Sequence, residues 1–287
     1  MDRLDSPVET LPSPATALGA PIGLGRTAEV FAHGTDGIIK LLRPGFPDNL
    51  GEHEARVAAL VSDAGLAAPR FRGTTRIEGR YGLLYERLTG PSMLDLVGRR
   101  PWQIDRWARQ FAELHAAMHD ANGTHLPDQK AEVRRMIERA GAGLSDGARQ
   151  AALSRLDGLP DGDAICHGDM HPGNVLVTAT GAVVIDWMTA SCGNPAGDVA
   201  RTLFLLGHSG IPPHLPRVER SLIGLVRRRF CSVYLRQYRR LRPLDQREVD
   251  AWRLPILAAR LGEEIEAERA ALDVLIPQEL DLPHPFA

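Results

Sequence analysis

Residues 164–187 constrain the fold of this chain more than any other stretch. Two runs of apolar β-formers, Val175-Leu176-Val177 and Val183-Val184-Ile185, flank the turn residues Thr178-Ala179-Thr180-Gly181. This spacing predicts a hairpin centred near Thr180. Directly before it stands Cys166-His167-Gly168-Asp169-Met170-His171-Pro172-Gly173-Asn174, and directly after it Asp186. In such a hairpin Asn174 and Asp186 fall opposite each other at the open end. A carboxamide and a carboxylate then stand side by side, and oxygen donors of this kind suit Mg2+. Asp169, on an irregular Gly/Pro-containing loop, is placed to face the same ion and to accept a proton from a hydroxyl.

Taken singly, Asp169 and Asn174 read as turn caps and Asp186 as a strand end. Together they match the template for phosphoryl transfer, which needs a loop Asp, a following Asn and an Asp behind an apolar strand. A second reading takes His167, Asp169 and His171 as zinc ligands of a metallohydrolase. It requires further imidazoles, and although His115 and His119 share a helical face, the remaining histidines form no second compact His/Asp cluster. His167 is instead expected to be structural, shaping the loop around Asp169.

The N-terminal part reads as mostly β. Strands are expected at 28–33 and 37–42 around a turn at 34–36, and at 70–76 and 81–87 around a turn at 77–80. A helix is expected at 49–64, closed by Gly65, and one further strand before Gly23. After Pro91 the texture turns helical. Pro101 opens a run with Ile104, Trp107, Ala108, Phe111, Leu114 and Met118 at helical spacing. Further helices are expected at 128–140, at 146–156 and from Asp198 to near Leu275. The fold class is α+β. A flexible Pro-rich N-terminus (1–16) precedes a β-rich nucleotide-binding lobe (17–88) and a mainly helical lobe (89–287), with a ligand cleft expected between the lobes.

Gly23 and Gly25, with Leu24, Arg26 and Thr27, join two expected strands and permit close approach of backbone to phosphate. The third glycine of a fuller GxGxxG pattern is absent, and the chain has no GxxxxGK[ST]. Lys40 lies within the apolar run Ile38-Ile39-Lys40-Leu41-Leu42. It is either a solvent-facing edge lysine or the partner of a helix carboxylate, with Glu54 the first choice and Glu52 the second. Residues 85–88 lead into Gly90-Pro91, where an interlobe hinge is expected. There the backbone of Glu86 and Leu88 is positioned to bind an adenine edge.

A formal net charge of −2 over 287 residues gives no global pull toward nucleic acid or membrane. No apolar run reaches the length of a membrane span, and the N-terminal residues lack the apolar core of a signal peptide. Three cysteines without a CxxC pair fit a reducing cytoplasm rather than a disulfide scaffold. The acidic stretch at 259–266 reads as a solvated helix face with pairs such as Arg260 to Glu264. The arginines at 227–229 and 236–242 read as a solvated basic helix, with Leu222, Leu225, Val226, Phe230, Val233 and Leu235 as apolar neighbours.

HGDMHPGNVL and VVIDW carry a resemblance that runs from Gly23 to about Glu266. The chain resembles the aminoglycoside phosphotransferase and choline kinase superfamily. The resemblance implies a two-lobed protein-kinase-like fold and transfer of the γ-phosphate of MgATP to a hydroxyl of a small molecule, such as an antibiotic, amino alcohol or sugar. It implies that Asp169 is the catalytic base, that Asn174 and Asp186 bind Mg2+, and that Lys40 contacts ATP and pairs with Glu54. Gly23, Gly25, Arg26 and Thr27 would cover the phosphates, Asp198 would support the site, and Glu263 and Glu264 would greet an aminated acceptor. His-Gly-Asp replaces the His-Arg-Asp of protein kinases, Trp187-Met188 replaces Phe-Gly, and no Ala-Pro-Glu segment follows. These departures argue against a protein kinase. The short glycine loop keeps a non-catalytic nucleotide-binding pseudokinase open as the alternative.

Overall fold

The structure is a computed structural model that describes residues 18–208 and 216–282. The Pro-rich segment 1–16 lies outside the described residues. The chain divides into two compact units, residues 1–91 with 176–188, and residues 92–175 with 189–287.

The first unit is built on a five-stranded antiparallel sheet. Its strands are β1 (Gly23–Leu24), β2 (Ala28–His33), β3 (Gly37–Leu42), β4 (Phe71–Ile77) and β5 (Arg80–Glu86), in the order β1-β2-β3-β5-β4. The edge strand contains Gly23 rather than preceding it, because Gly23 and Leu24 themselves pair with Val30 and Glu29. Gly34, at φ +64°, makes the β2–β3 turn. Phe31, Ile39 and Leu41 form a buried cluster, with Leu18, Ile77 and Leu84 packed against it.

Lys40 alternates with Ile39 and Leu41 and so points to the opposite face, beside its register partners Val30 and Leu83. Helix α1 (Asp48–Asp63) covers that face. It approaches closely at Gly51, where a Cβ would fall 2.3 Å from the Tyr81 ring. Lys40 is therefore on a central strand under a helix and is not a solvent-facing edge lysine.

The segment 176–188 was expected within the helical lobe, yet it groups with the sheet unit. The hydrogen bonds give the reason. Val177 N–H donates to Pro91 O at 3.0 Å, Val184 N–H to Ala67 O at 2.7 Å, and the His53 ring contacts Met188 O at 3.2 Å. The segment holds most of the predicted hairpin, which forms as β7 (Val175–Thr178) and β8 (Gly181–Val184).

The second unit contains α2 (Met93–Arg99), α3 (Ile104–His119), α4 (Gln129–Arg139) and α5 (Asp146–Asp157). Strands β6 (Ala164–Cys166) and β9 (Ser191–Gly193) pair with each other. Helices α6 (Pro195–His208), α7 (Arg217–Leu241), α8 (Gln246–Leu261) and α9 (Glu266–Leu280) follow. Ser92, Asp128, Ser145 and Asp245 cap α2, α4, α5 and α8 through their side chains. Helix α8 is buried almost all round from Leu254 to Leu261 and packs against α4, α5, α6 and α9, as an apolar central helix must.

Two expectations for the C-terminal region are corrected. The helical run from Asp198 is interrupted at 242–245 and again at 262–265, where Glu264 sits at φ +54°. Residues 259–266 are thus a helix end and a turn, not a helix face. Arg260 is 3% exposed and pairs with Glu268 (2.6 Å) and Glu263 (2.6 Å), not with Glu264. Arg229 on α7 pairs with Asp105 (2.5 Å), and Arg242, just past its end, with Asp120. Phe230 and Val233 face inward, while Leu222 and Leu225 are exposed.

Candidate functional site

In the first unit the register of β3 and the tight seat of α1 bring Lys40 and Glu54 together. Lys40 Nζ lies 2.6 Å from Glu54 Oε1 and 2.9 Å from Asp186 Oδ1. Burial works against the Lys40 charge, but the two carboxylates outweigh it and hold the ammonium above its ordinary pKa. The Tyr85 hydroxyl lies 3.4 Å from Glu54 Oε1. Burial, and then the Glu54 charge, push its phenol well above the usual range, so it remains an O–H donor.

Asp186 reaches Lys40 from an unusual backbone. Its φ is +63°, a left-handed conformation that Asp tolerates better than most residues. Such strain is common where a side chain is aimed for function. Gly25 and Thr27 lie in the short loop between β1 and β2. Gly25 N–H donates to Ala28 O at 2.8 Å, Arg43 donates to the carbonyls of both Gly25 and Thr27, and Arg26 is exposed. Glu86 ends β5, and its carboxylate accepts from Arg70 N–H at 2.9 Å. Leu88 follows in irregular, half-buried chain.

In the second unit Asp169 and Asn174 are tied together. The Asn174 amide donates to Asp169 O (2.9 Å) and to Asp169 Oδ2 (3.2 Å). This orientation turns the carboxamide nitrogen toward Asp169 and reserves its oxygen for other partners. His167 Nδ1 accepts from Asp169 N–H at 3.1 Å, as a residue that shapes the loop does. His171 Nδ1 accepts from Gly173 N–H, so its ring proton sits on Nε2, which faces Asp169 Oδ2 at 3.7 Å. Burial would raise the Asp169 pKa. His171, Arg201 and His167 outweigh it and hold the carboxyl well below the usual range.

Asp198 lies at the start of α6, 1% exposed, and accepts from the backbone N–H groups of His167 (2.6 Å) and Gly168 (2.9 Å). Gly168 has φ +76°, and a Cβ there would meet Thr189 O at 2.5 Å. Arg201, one turn after Asp198, pairs with Glu263 at 2.7 Å, and its Nε is buried without a hydrogen-bond partner among the described residues. Glu263 is therefore held by two guanidiniums, Arg201 and Arg260, whereas Glu264 is exposed.

Sequence reasoning missed Arg201 and Tyr85, and weighed His171 only as a zinc ligand. The i+3 spacing of Arg201 from Asp198 was the one signal available for it. His115 and His119 do gain a carboxylate neighbour, Asp198, but this cluster is fully buried and hydrogen-bonded.

Among curated proteins none matches the chain. Solved structures with this fold include a putative fructosamine-3-kinase from Haemophilus somnus 129PT, at 15% identity and a TM-score of 0.60, covering 91% of this chain and 90% of that one. A choline kinase from Cryptosporidium parvum Iowa II matches at 14% identity and a TM-score of 0.55, covering 91% and 88%. The streptomycin–ATP–APH(2")-IIa ternary complex matches at 14% identity and a TM-score of 0.56, covering 90% of each chain. These likenesses establish a kinase-like fold. A sequence profile of the phosphotransferase enzyme family matches residues 19–244. That span is most of the chain, which therefore belongs to this family.

Proposed function

We propose that the protein transfers the γ-phosphate of ATP to a hydroxyl of a small molecule, with Asp169 as the catalytic base. One observation carries the reading against a pseudokinase: Lys40 is paired with Glu54 at 2.6 Å, the Lys–Glu ion pair that the phosphoryl-transfer template requires. In this reading Asp169 stays ionised through neutral pH, orients the acceptor hydroxyl and takes its proton. Lys40 neutralises charge on the nucleotide phosphates. Residues 23–27 lie over those phosphates, and the backbone of Glu86 and Leu88 meets the adenine.

Asn174 and Asp186 are assigned to Mg2+, and the donor chemistry fits. Both offer hard oxygen atoms, and the Asn174 amide nitrogen is already occupied by Asp169. When bound, Mg2+ supplies Lewis-acid neutralisation of phosphate charge. On the acceptor side, the reading assigns the exposed Glu264 to direct contact with an amine. Glu263 acts by holding Arg201 near Asp169. A reducing compartment such as the cytoplasm suits the three free cysteines, and no helix among the described residues is long and apolar enough to cross a membrane.

The test is Mg2+-dependent ADP release from ATP across aminoglycosides, other hydroxylated antibiotics, amino alcohols and sugars. Release stimulated by one of these classes is expected. ATP binding with no acceptor-dependent release in any class would favour the pseudokinase.

A further inference from the structure

Behind the catalytic loop lies a buried cluster to which the proposed reaction assigns no role. His115 and His119 stand one turn apart on α3, and Tyr234 and Tyr238 one turn apart on α7. All four, with Asp198, are at most 2% exposed. Each imidazole bridges a phenol and the same carboxylate oxygen. His115 Nε2 lies 3.1 Å from Asp198 Oδ2 and its Nδ1 2.8 Å from Tyr234 OH. His119 Nε2 lies 3.2 Å from Asp198 Oδ2 and its Nδ1 2.6 Å from Tyr238 OH.

An ionised carboxylate only accepts, so each ring proton sits on Nε2, and each Nδ1 accepts from a phenol. Each ring is thereby fixed in one orientation, with Nε2 toward Asp198 and Nδ1 toward a phenol. Asp198 then receives four N–H donors, from His115, His119, His167 and Gly168. Three of these, from His115, His119 and His167, converge on Oδ2, and the fourth, from Gly168, reaches Oδ1. A metal ion on the two imidazoles would have to displace these hydrogen bonds, so the cluster is a hydrogen-bond network and not a metal centre.

We propose that His115 and His119, keyed by Tyr234 and Tyr238, are positioning residues that lock Asp198 and, through it, the His167–Gly168 backbone from which Asp169 projects. The role assigned to Asp169 rests on the phosphotransfer reading; the locking does not. Removing one imidazole takes away one of the three donors that hold Oδ2 of a fully buried carboxylate. Asp198 then turns toward its remaining donors and carries the loop with it. Turnover suffers while nucleotide affinity does not, because Lys40 and Glu54 belong to the other unit.

The experiment uses the full chain and the variants His119→Leu, His119→Gln and Tyr238→Phe. It measures kcat and KM for ATP by Mg2+-dependent ADP release, and amide hydrogen exchange at His167 and Gly168 by NMR. His119→Leu is expected to lower kcat about 10–100-fold with KM for ATP changed by less than about twofold. Exchange at His167 and Gly168 should speed by about tenfold or more, with α3 and α7 still protected. His119→Gln, which keeps an N–H donor near the Nε2 position, should recover most of the lost turnover.

Equal loss in the Leu and Gln variants would overturn the proposal, because ring volume and not the donor would then matter. Unchanged exchange at His167 and Gly168 in a folded Leu variant would overturn it too. Should the Leu variant not fold, Tyr238→Phe removes one oxygen only and carries the same test. A fall in kcat of about 3–10-fold with faster exchange supports the proposal, and wild-type values overturn it. A wild type that releases no ADP with any acceptor overturns the phosphotransfer reading, and the exchange data still decide the network.

Discussion

Lys40 Nζ lies 2.6 Å from Glu54 Oε1, and Glu54 is only 3% exposed. Breaking such a pair from one side leaves a charge in a poorly solvated place. Lys40→Met should therefore cost about 3 kcal/mol or more of stability. The double variant Lys40→Met/Glu54→Gln should recover part of that loss, since it removes the buried Glu54 charge and leaves only the solvent-exposed Asp186 without its partner. Urea unfolding of the two variants and the wild type checks the order.

Gly51 tests how closely α1 must sit. Helix propensity alone says that Gly51→Ala gains about 1 kcal/mol. The Cβ, however, would lie 2.3 Å from the Tyr81 ring. Overpacking of this kind costs about 1–3 kcal/mol, so the net effect should be destabilising. Moving α1 also moves Glu54, so KM for ATP should rise. Adding Tyr81→Leu should relieve the clash, and the double variant should be more stable than the sum of the single effects. Thermal melts with ATP titration check both parts.

His119 gives the pH dependence. Burial, then the adjacent His115, lower its pKa from 6.5 to about 4 in the folded protein. The unfolded chain binds this proton near pH 6.5 and the folded chain does not until about pH 4. Stability from this group is therefore lost as pH falls from 6.5 to 4, by about 3 kcal/mol in all. Asp198, whose folded pKa is depressed, stays ionised in both states over most of this window and contributes its own loss only at lower pH. Urea unfolding at stepped pH should show the His119 slope in the wild type and its absence in His119→Gln.

The hairpin and the two strands around residues 34–36 could be read from the sequence because alternation and turn chemistry are local signals. The bounds 28–33 and 37–42 match β2 and β3. Helix α2 carried a readable signal, Ser92 with Asp95 three residues on, but it is only seven residues long. The burial of Arg260 left no local mark. A lone arginine near three glutamates looks like a solvated face until Glu268, from the next helix, closes over it. The same holds at the candidate site. Residue types named Lys40, Asp169, Asn174 and Asp186, but the left-handed backbone of Asp186 and the approach of Arg201 to Asp169 depend on tertiary packing.

The most direct test of the central claim is phosphoryl transfer from γ-labelled ATP to an acceptor found in the screen, comparing wild type with Asp169→Ala. The account predicts a fall in kcat of about 10²–10⁴-fold. The melting profile should stay intact and ATP binding should be retained. Near-normal transfer by folded Asp169→Ala would contradict the assignment of Asp169 as the base.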